Sequence, residues 1–370
     1  MKFSRICKDI YQQIGRLILT FSLTLFACTT QATQILLINP DQPGRPFWDL
    51  TTEVAKAAAN NLNIKLDVKY GGGDRFANHK LISNISTKYD YVIFMPHRGK
   101  AAASFEQLTD KGVHFITLER AIDKTEFKQV GKPQEKYPLW LAEVYYDDWQ
   151  AGKLLGSALL KQSKNHGELQ PNILAFNGDH SSLSEQRADG LITSANQYQA
   201  QIKQVFYTFW NPTIAKQQIR KAIQRYPNSN VIWAASDQIA IAISQELKLL
   251  ATDKNWIIGG IDWSIDAIEA VKKQRISATV GGHFMQAAWA IIMAYDHSMG
   301  LDVGHSQAAM PLSHQLITQD NAKHFHSLWQ SKIWHCINFK QFSLALNRNQ
   351  TYYQFDFERL VTSNTANGCL

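Results

Sequence analysis

The chain has 370 residues, 45% hydrophobic and 19% charged, with a formal charge of +7 from 38 basic and 31 acidic side chains. That length accommodates two globular domains. The charge is too small, and the basic residues too scattered, for a nucleic-acid surface, and no helix-turn-helix or zinc module precedes the first strand.

Lys2, Arg5, Lys8 and Arg16 form a basic leader, and Leu17 to Ala27 is an apolar core too short to cross a bilayer, the pattern of a secretory signal. Thr30-Gln31-Ala32 offers small residues at the two positions a signal peptidase reads, so cleavage after Ala32 is expected. Leu25-Phe26-Ala27-Cys28 loosely resembles a lipoprotein box, but Phe26 is bulky for it and the tether from Cys28 to the first strand would be very short. Removing residues 1–32 takes away four basic residues and one acid, Asp9, leaving 34 basic against 30 acidic side chains, or +4. Cys7 and Cys28 leave with the leader. Cys336 and Cys369 remain, an even count in an oxidising compartment, which predicts one C-terminal disulfide. No later stretch approaches the ~20 apolar residues of a membrane helix.

The first predicted strand is Ile35-Leu36-Leu37-Ile38, short and apolar, as in a parallel strand buried on both faces. Asn39, Pro40, Asp41, Pro43 and Gly44 stop it, and Pro46 suits the first turn of a helix in which Leu50, Val54, Ala57 and Ala58 recur at helical spacing. Phe47 and Trp48 are thereby left at the carboxyl end of the strand, where open α/β sheets bind ligands. Further strands are read at Ile64 to Val68, Tyr91 to Met95 and Val113 to Leu118, with helical patterns between them. Gly71-Gly72-Gly73-Asp74 lacks the Gly-Lys-Ser/Thr ending of a phosphate loop and reads as a tight turn capped by Asp74. His97 and Arg98 either line a cleft or form a solvated turn. Phe127 to Pro138 is irregular and reads as a crossing between lobes, before a short strand at Leu139 to Val144. From Asp147 a second series begins, with strands at Ile173 to Phe176, Ile202 to Tyr207, Val231 to Ala235, Trp256 to Ile261 and Ala278 to Val280. The βαβα order predicts an α/β fold of two Rossmann-like lobes with parallel sheets.

Several segments, in order, resemble the type I periplasmic binding proteins of the sugar-binding group, relatives of ribose- and galactose-binding proteins and of LacI-type ligand cores. Pro46-Phe47-Trp48 resembles the family's first aromatic contacts, and Asp147-Asp148-Trp149-Gln150-Ala151-Gly152 its hinge-to-helix segment. Gly178 with Glu185-Gln186-Arg187-Ala188-Asp189-Gly190 resembles the loop and helix whose arginine reaches the ligand. Ala235-Ser236-Asp237-Gln238 is similar to a strand-end Asn-Asp motif, Gly260-Ile261-Asp262-Trp263 to a Gly-x-Asp motif, and Ala278-Thr279-Val280 to the strand leading back into the first lobe. The resemblance covers about Ile35 to Gly300. This chain departs from ribose-type relatives at Gly281-Gly282-His283, at Glu119-Arg120 where Asp-Arg is common, and at the aromatic run Tyr207 to Asn211. It implies a signal peptide at 1–32, a first lobe at 33–146, a second at 147–280, a return segment of the first lobe at 281–312 and a C-terminal segment, 313–370, packed on the second lobe, all joined by a multi-strand hinge.

A sugar has an apolar C–H face and a polar edge, so aromatic rings cover the face while charged planar groups bond the hydroxyls. Phe47, Trp48, Trp210 and Trp263 are expected to supply rings; Glu119, Asn211, Asp237 and Asp262 to share hydroxyl bonds; Arg120 and Arg187 to donate; and His283 to join them. Each has a plainer reading: Trp48 and Trp263 as core caps, Asp237 and Asp262 as helix caps, Arg187 paired with Glu185 or Asp189, His283 as a buried hinge residue. The late histidines show no metal-ligand spacing, no Gly-x-Ser-x-Gly elbow occurs and no paired acids stand out, so neither catalysis, a metal nor a cofactor is expected. The expected function is capture of a small polyhydroxylated ligand in the periplasm by hinge closure. The partner is either an ABC-type permease or a membrane sensor such as a kinase, cyclase or chemoreceptor. The export reading is checked by N-terminal mass spectrometry of the exported protein, which should begin at Thr33; a lipid on Cys28 would contradict it.

Overall fold

Ile35, Leu36, Leu37 and Ile38 are at most 2% exposed, so strand β1 (Gln34–Asn39) is buried on both faces as its unbroken apolar run requires. The computed structural model describes residues 32–357 apart from 252–253, 305–308 and 331–332. The leader and Cys369 lie outside the described residues, and with Cys369 the expected disulfide; Cys336 is exposed.

In the first lobe β1 is followed by α1 (Pro46–Asn61), β2 (Lys65–Tyr70), α2 (Arg75–Ser83), β3 (Tyr91–Phe94), α3 (Ala101–Asp110), β4 (His114–Glu119), α4 (Lys124–Val130) and β5 (Trp140–Tyr146). The second lobe repeats this grammar with α5 (Asp148–Asn165), β6 (Asn172–Asn177), α6 (Ser182–Tyr198), β7 (Gln201–Tyr207), α7 (Pro212–Arg225), β8 (Val231–Ala234), α8 (Asp237–Leu249), β9 (Ile257–Asp262), α9 (Ile265–Lys272) and β10 (Ala278–Gly281). A 3-10 turn at His283–Met285 leads into α10 (Gln286–Ser298), then β11 (Ala309–Leu312), β12 (Gln315–Thr318) and α11 (Gln319–Gln330).

The sheets run in the orders β11-β5-β4-β3-β1-β2 and β12-β10-β9-β8-β6-β7. All pairings are parallel except that of β10 with β12. In each lobe the first strand lies between the second and the third, so the chain reverses winding beside β1 and beside β6. Those switch points open a crevice at the carboxyl ends of the strands. The chain passes between the sheets after Tyr146, after Gly281 and between Leu312 and Gln315.

Two helices of the second lobe cross closely enough to exclude a side chain. A Cβ on Gly152 of α5 would overlap the backbone carbonyl of Arg187 on α6. This contact brings the α6 arginine up to the start of α5, which matters for the site.

Two expectations need correction. The segment 127–138 does not cross between lobes: α4 and the turns after it stay in the first lobe, where Val130 and Tyr137 are buried in the core beside Phe105 and Trp140. The C-terminal segment packs on both lobes rather than on the second alone. Helix α11 lies against α9, whereas the chain beyond it folds onto α1 and α10 of the first lobe. There Trp289 stacks on Phe355 at 4.6 Å, and the buried Asp296 carboxylate accepts from the Leu344 amide at 2.7 Å, the Tyr353 hydroxyl at 2.9 Å and Ser343 Oγ. The strands β11 and β12 were not legible, being four residues each, with Pro311 inside β11.

Candidate ligand cleft

The carboxyl ends of the strands from both lobes face a cleft of about 1100 Å³. On the first-lobe side, Asn39 at the end of β1 donates to the Trp48 carbonyl at 3.3 Å and to Thr52 Oγ1 at 3.0 Å, which ties the first turn of α1 to the strand. Phe47 and Trp48 are thereby held in the cleft wall, edge to face with centroids 5.1 Å apart. Beyond them stand Asp74, whose carboxylate caps α2 through the amides of Phe76 and Ala77, and His97 and Arg98 after β3. Strand β4 ends in Glu119, and Arg120 follows it. Glu119 has a φ of 68°, a conformation uncommon outside glycine and enriched at functional sites.

The second-lobe wall centres on Arg187, which is 2% exposed. Its Nε donates to Asp148 Oδ1 at 2.7 Å and its Nη1 to the Ala235 carbonyl at 2.8 Å. The partner is thus Asp148, at the first turn of α5, and neither Glu185 nor Asp189. Trp210 lies over the guanidinium at 5.9 Å and against Gly178, where any side chain would collide with the indole. Asp262, with a φ of 142°, completes the floor.

Burial of this cluster works against every charge in it. Glu119 is pushed up to about 8 by burial, opposed by Arg187, and Gln286 of α10 donates to its carboxyl. Asp148 is raised by burial, with Arg187 pulling the other way. Burial also raises Asp262, and raises Asp237 with the charge of Asp262 added to it. While Asp148 pairs with the guanidinium, Glu119 at about 8 and Asp262 at about 7 take up a proton readily near neutrality. Such groups can either donate to or accept from a hydroxyl.

All the residues expected at the ligand line this cleft except Asp237, Trp263 and His283. Asn211 is there, but its side-chain oxygen caps α7 by accepting from the amides of Thr213 and Ile214. Asp237 is fully buried and its carboxylate is consumed inside the lobe, accepting from Thr279 Oγ1 at 2.7 Å and from the Ser264 amide at 2.8 Å. Ser236 and Gln238 on either side of it reach the cleft instead. Trp263 turns away from the ligand side into an aromatic core with Phe325, Trp329 and Phe357 supplied by the C-terminal segment. His283 stands behind Phe47 at 4.4 Å and against His314 at 5.0 Å, while Tyr146 meets His314 at 5.1 Å. These rings bring together one residue from each of the three crossings. Burial keeps both imidazoles far below their usual range and so neutral. Phe76, Asp179, His180 and Phe209 also line the cleft; Phe209 belongs to the aromatic run already visible after β7, whereas nothing in the local pattern marks Phe76.

The periplasmic binding protein domain matches residues 35–302. That is well over half of the chain, and the protein belongs to this family. The chain is 23% identical over 268 residues to the D-allose-binding periplasmic protein of Escherichia coli (strain K12), which covers 71% of this chain and 82% of that protein. It is 22% identical over 307 residues to the D-apiose import binding protein of Paraburkholderia graminis, covering 81% and 93% of the two chains. Its fold is similar to that of a periplasmic sugar-binding protein from Pseudomonas fluorescens, with a TM-score of 0.79 and 22% identity over 89% of this chain and 99% of that one.

The raised carboxyls have a consequence for stability. A group whose pKa is higher folded than unfolded holds its proton more tightly in the native state, so its stabilising contribution is full at low pH and is lost as pH rises through the folded value. For Glu119 that window runs from about 4.5 to about 8. Below about pH 6.5 the buried neutral histidines act in the opposite sense, because the unfolded chain takes up protons there that they refuse. Between about pH 7 and about pH 8, therefore, the ligand-free protein should melt at falling temperature, and Glu119→Gln should flatten part of that slope. Identical slopes for the wild type and Glu119→Gln in a thermal melt series would contradict the assignment.

Proposed function

We propose that this protein is an exported solute receptor that holds a small sugar between its lobes and hands it to an ABC-type importer. One observation carries the reading. Phe47 and Trp48 on one wall and Trp210 on the other frame a space whose floor is Arg187 with Glu119 and Asp262. Aromatic rings complement the C–H face of a sugar, and the charged and protonatable groups between them complement its hydroxyls. Charge-assisted hydrogen bonds contribute about 1.5 to 3 kcal/mol each when water is excluded, which is what closure of two lobes achieves.

The names of the relatives, which refer to D-allose, to import of D-apiose and to sugar binding, support the ligand class. The leader at 1–32 supports export into the periplasm, with Ala32 as the last residue removed. No reaction is assigned to the site. Its acids serve the buried guanidinium, and the polar wall is suited to holding a ligand without converting it. Residues 33–146 act as one lobe and 147–280 as the other. Closure turns about the three crossings, where Tyr146, His283 and His314 meet.

Arg187 is a poor residue for the test, because its removal would strand Asp148 as a buried unpaired charge and destabilise the fold. Arg120 is better: it is half-buried on the first-lobe wall and its Nε has no hydrogen-bond partner among the described residues. A thermal-shift panel of pentoses, hexoses, polyols and sugar acids should contain at least one compound that raises the melting temperature, by mass action on the native state. Arg120→Ala should weaken that compound by about ten- to a hundred-fold in calorimetric titration while leaving the ligand-free melting temperature unchanged. Wild-type affinity in the variant would contradict the cleft assignment.

A further inference from the structure

The cleft continues outward past the rings that frame Arg187. On the second-lobe wall Phe209 is 61% exposed, and on the first-lobe wall Phe76 is 57% exposed; both line the same cavity as Arg187. Phe209 and Trp210 follow one another with φ of 52° and 58°, a conformation that bulky side chains avoid. The kink is held by the amides of Thr208 and Phe209, which donate to the Gly178 carbonyl at 3.2 and 3.0 Å. Trp210 is thereby pressed inward over Gly178, and Phe209 is left facing solvent. Beside Phe209 stands His180, 6.2 Å away and itself packed on Tyr207 at 3.9 Å. Across the opening, Phe76 carries Arg75 at 4.8 Å and Lys100 at 5.3 Å against its ring.

Neither phenyl ring is covered by the core; the two face the same cleft from opposite walls, and Phe209 is kept there by strained backbone. The inner rings, Phe47, Trp48 and Trp210, already suffice for one sugar ring. The remaining space is continuous with theirs, and about 1100 Å³ is slightly more than the roughly 300 to 1000 Å³ of ordinary ligand pockets. Phenyl rings bind carbohydrate through C–H faces, and the flanking Arg75, Lys100 and His180 offer donors to the hydroxyls around such a face.

We propose that Phe76 and Phe209 form an outer subsite for a second ring, so that the protein prefers glycosides carrying a ring on the anomeric oxygen over the free monosaccharide. This rests on the sugar reading above. It is tested by calorimetric titration with D-glucose, D-galactose, D-allose and L-arabinose beside the 4-nitrophenyl glycoside of each. The glycoside of at least one sugar should bind about tenfold more tightly than the sugar itself, the gain expected of two aromatic contacts. Phe209→Ala and Phe76→Ala should each remove about threefold of that gain and leave the affinity for the free sugar unchanged, which also shows that the variants are folded. The proposal is overturned if the glycosides bind no better than the free sugars, if the variants keep the preference, or if they weaken both series equally. Failure of both series to bind would overturn the sugar reading itself, and the outer subsite with it.

Discussion

A buried guanidinium must be paired, and much of this structure is arranged around that requirement. Removing a charge from water costs several kcal/mol unless a partner and hydrogen bonds replace the solvent. Arg187 meets the condition with Asp148 at 2.7 Å and the Ala235 carbonyl at 2.8 Å. The first partner sits where the chain has just entered the second lobe, and the second at the end of β8. The pair therefore fixes the junction of α5, α6 and a strand end at one point. The absence of a side chain at Gly152 is the packing condition that lets α5 and α6 come that close. Glu119, Asp148 and Asp262 around a single arginine would repel one another if all were ionised, and burial raises all three. The cleft floor is thus a set of groups with spare donors and acceptors and little net charge, suited to a neutral ligand rich in hydroxyls.

The hinge obeys the same economy in a different medium. Tyr146, His283 and His314 pack as rings, with the imidazoles neutral, so the three crossings meet without a charge that would need solvent. The C-terminal segment adds a second link between the lobes. It contributes Phe325, Trp329 and Phe357 to the Trp263 core on one side, and Ser343, Leu344 and Tyr353 to the Asp296 carboxylate on the other. Movement of one lobe against the other has to accommodate this segment as well as the crossings.

The strands and their alternation with helices were legible because the inner parallel strands, buried on both faces, read as short apolar runs, and the edge strands β2 and β7, only partly buried, keep enough apolar residues to be read between helical patterns. Phe47, Trp48, Arg187, Trp210 and Asp262 were legible because they stand at strand ends or on the helix facing them. Asp237 and Trp263 also stand at strand ends and were misplaced. Whether a strand-end residue turns to the cleft or into the lobe is decided by partners distant in sequence: Thr279 and Ser264 for Asp237, and the aromatic residues of the C-terminal segment for Trp263. Asp148 carries no local sign of its role, since nothing in its segment shows that an arginine 39 residues later will reach it. The resemblance implies a C-terminal segment on one lobe; its apolar residues follow no regular period, and the structure gives them two separate surfaces.

The central claim is that a sugar sits between the aromatic walls on the Arg187 floor. Diffraction from crystals grown with whichever sugar stabilises the protein most tests it directly. The account predicts a sugar ring with its C–H face on Phe47 or Trp210 and its hydroxyls within hydrogen-bond distance of Arg187, Arg120 and the carboxyls of Glu119 and Asp262. A sugar bound elsewhere, or bound in the cleft without contact to Arg187 or any of the three rings, would contradict it.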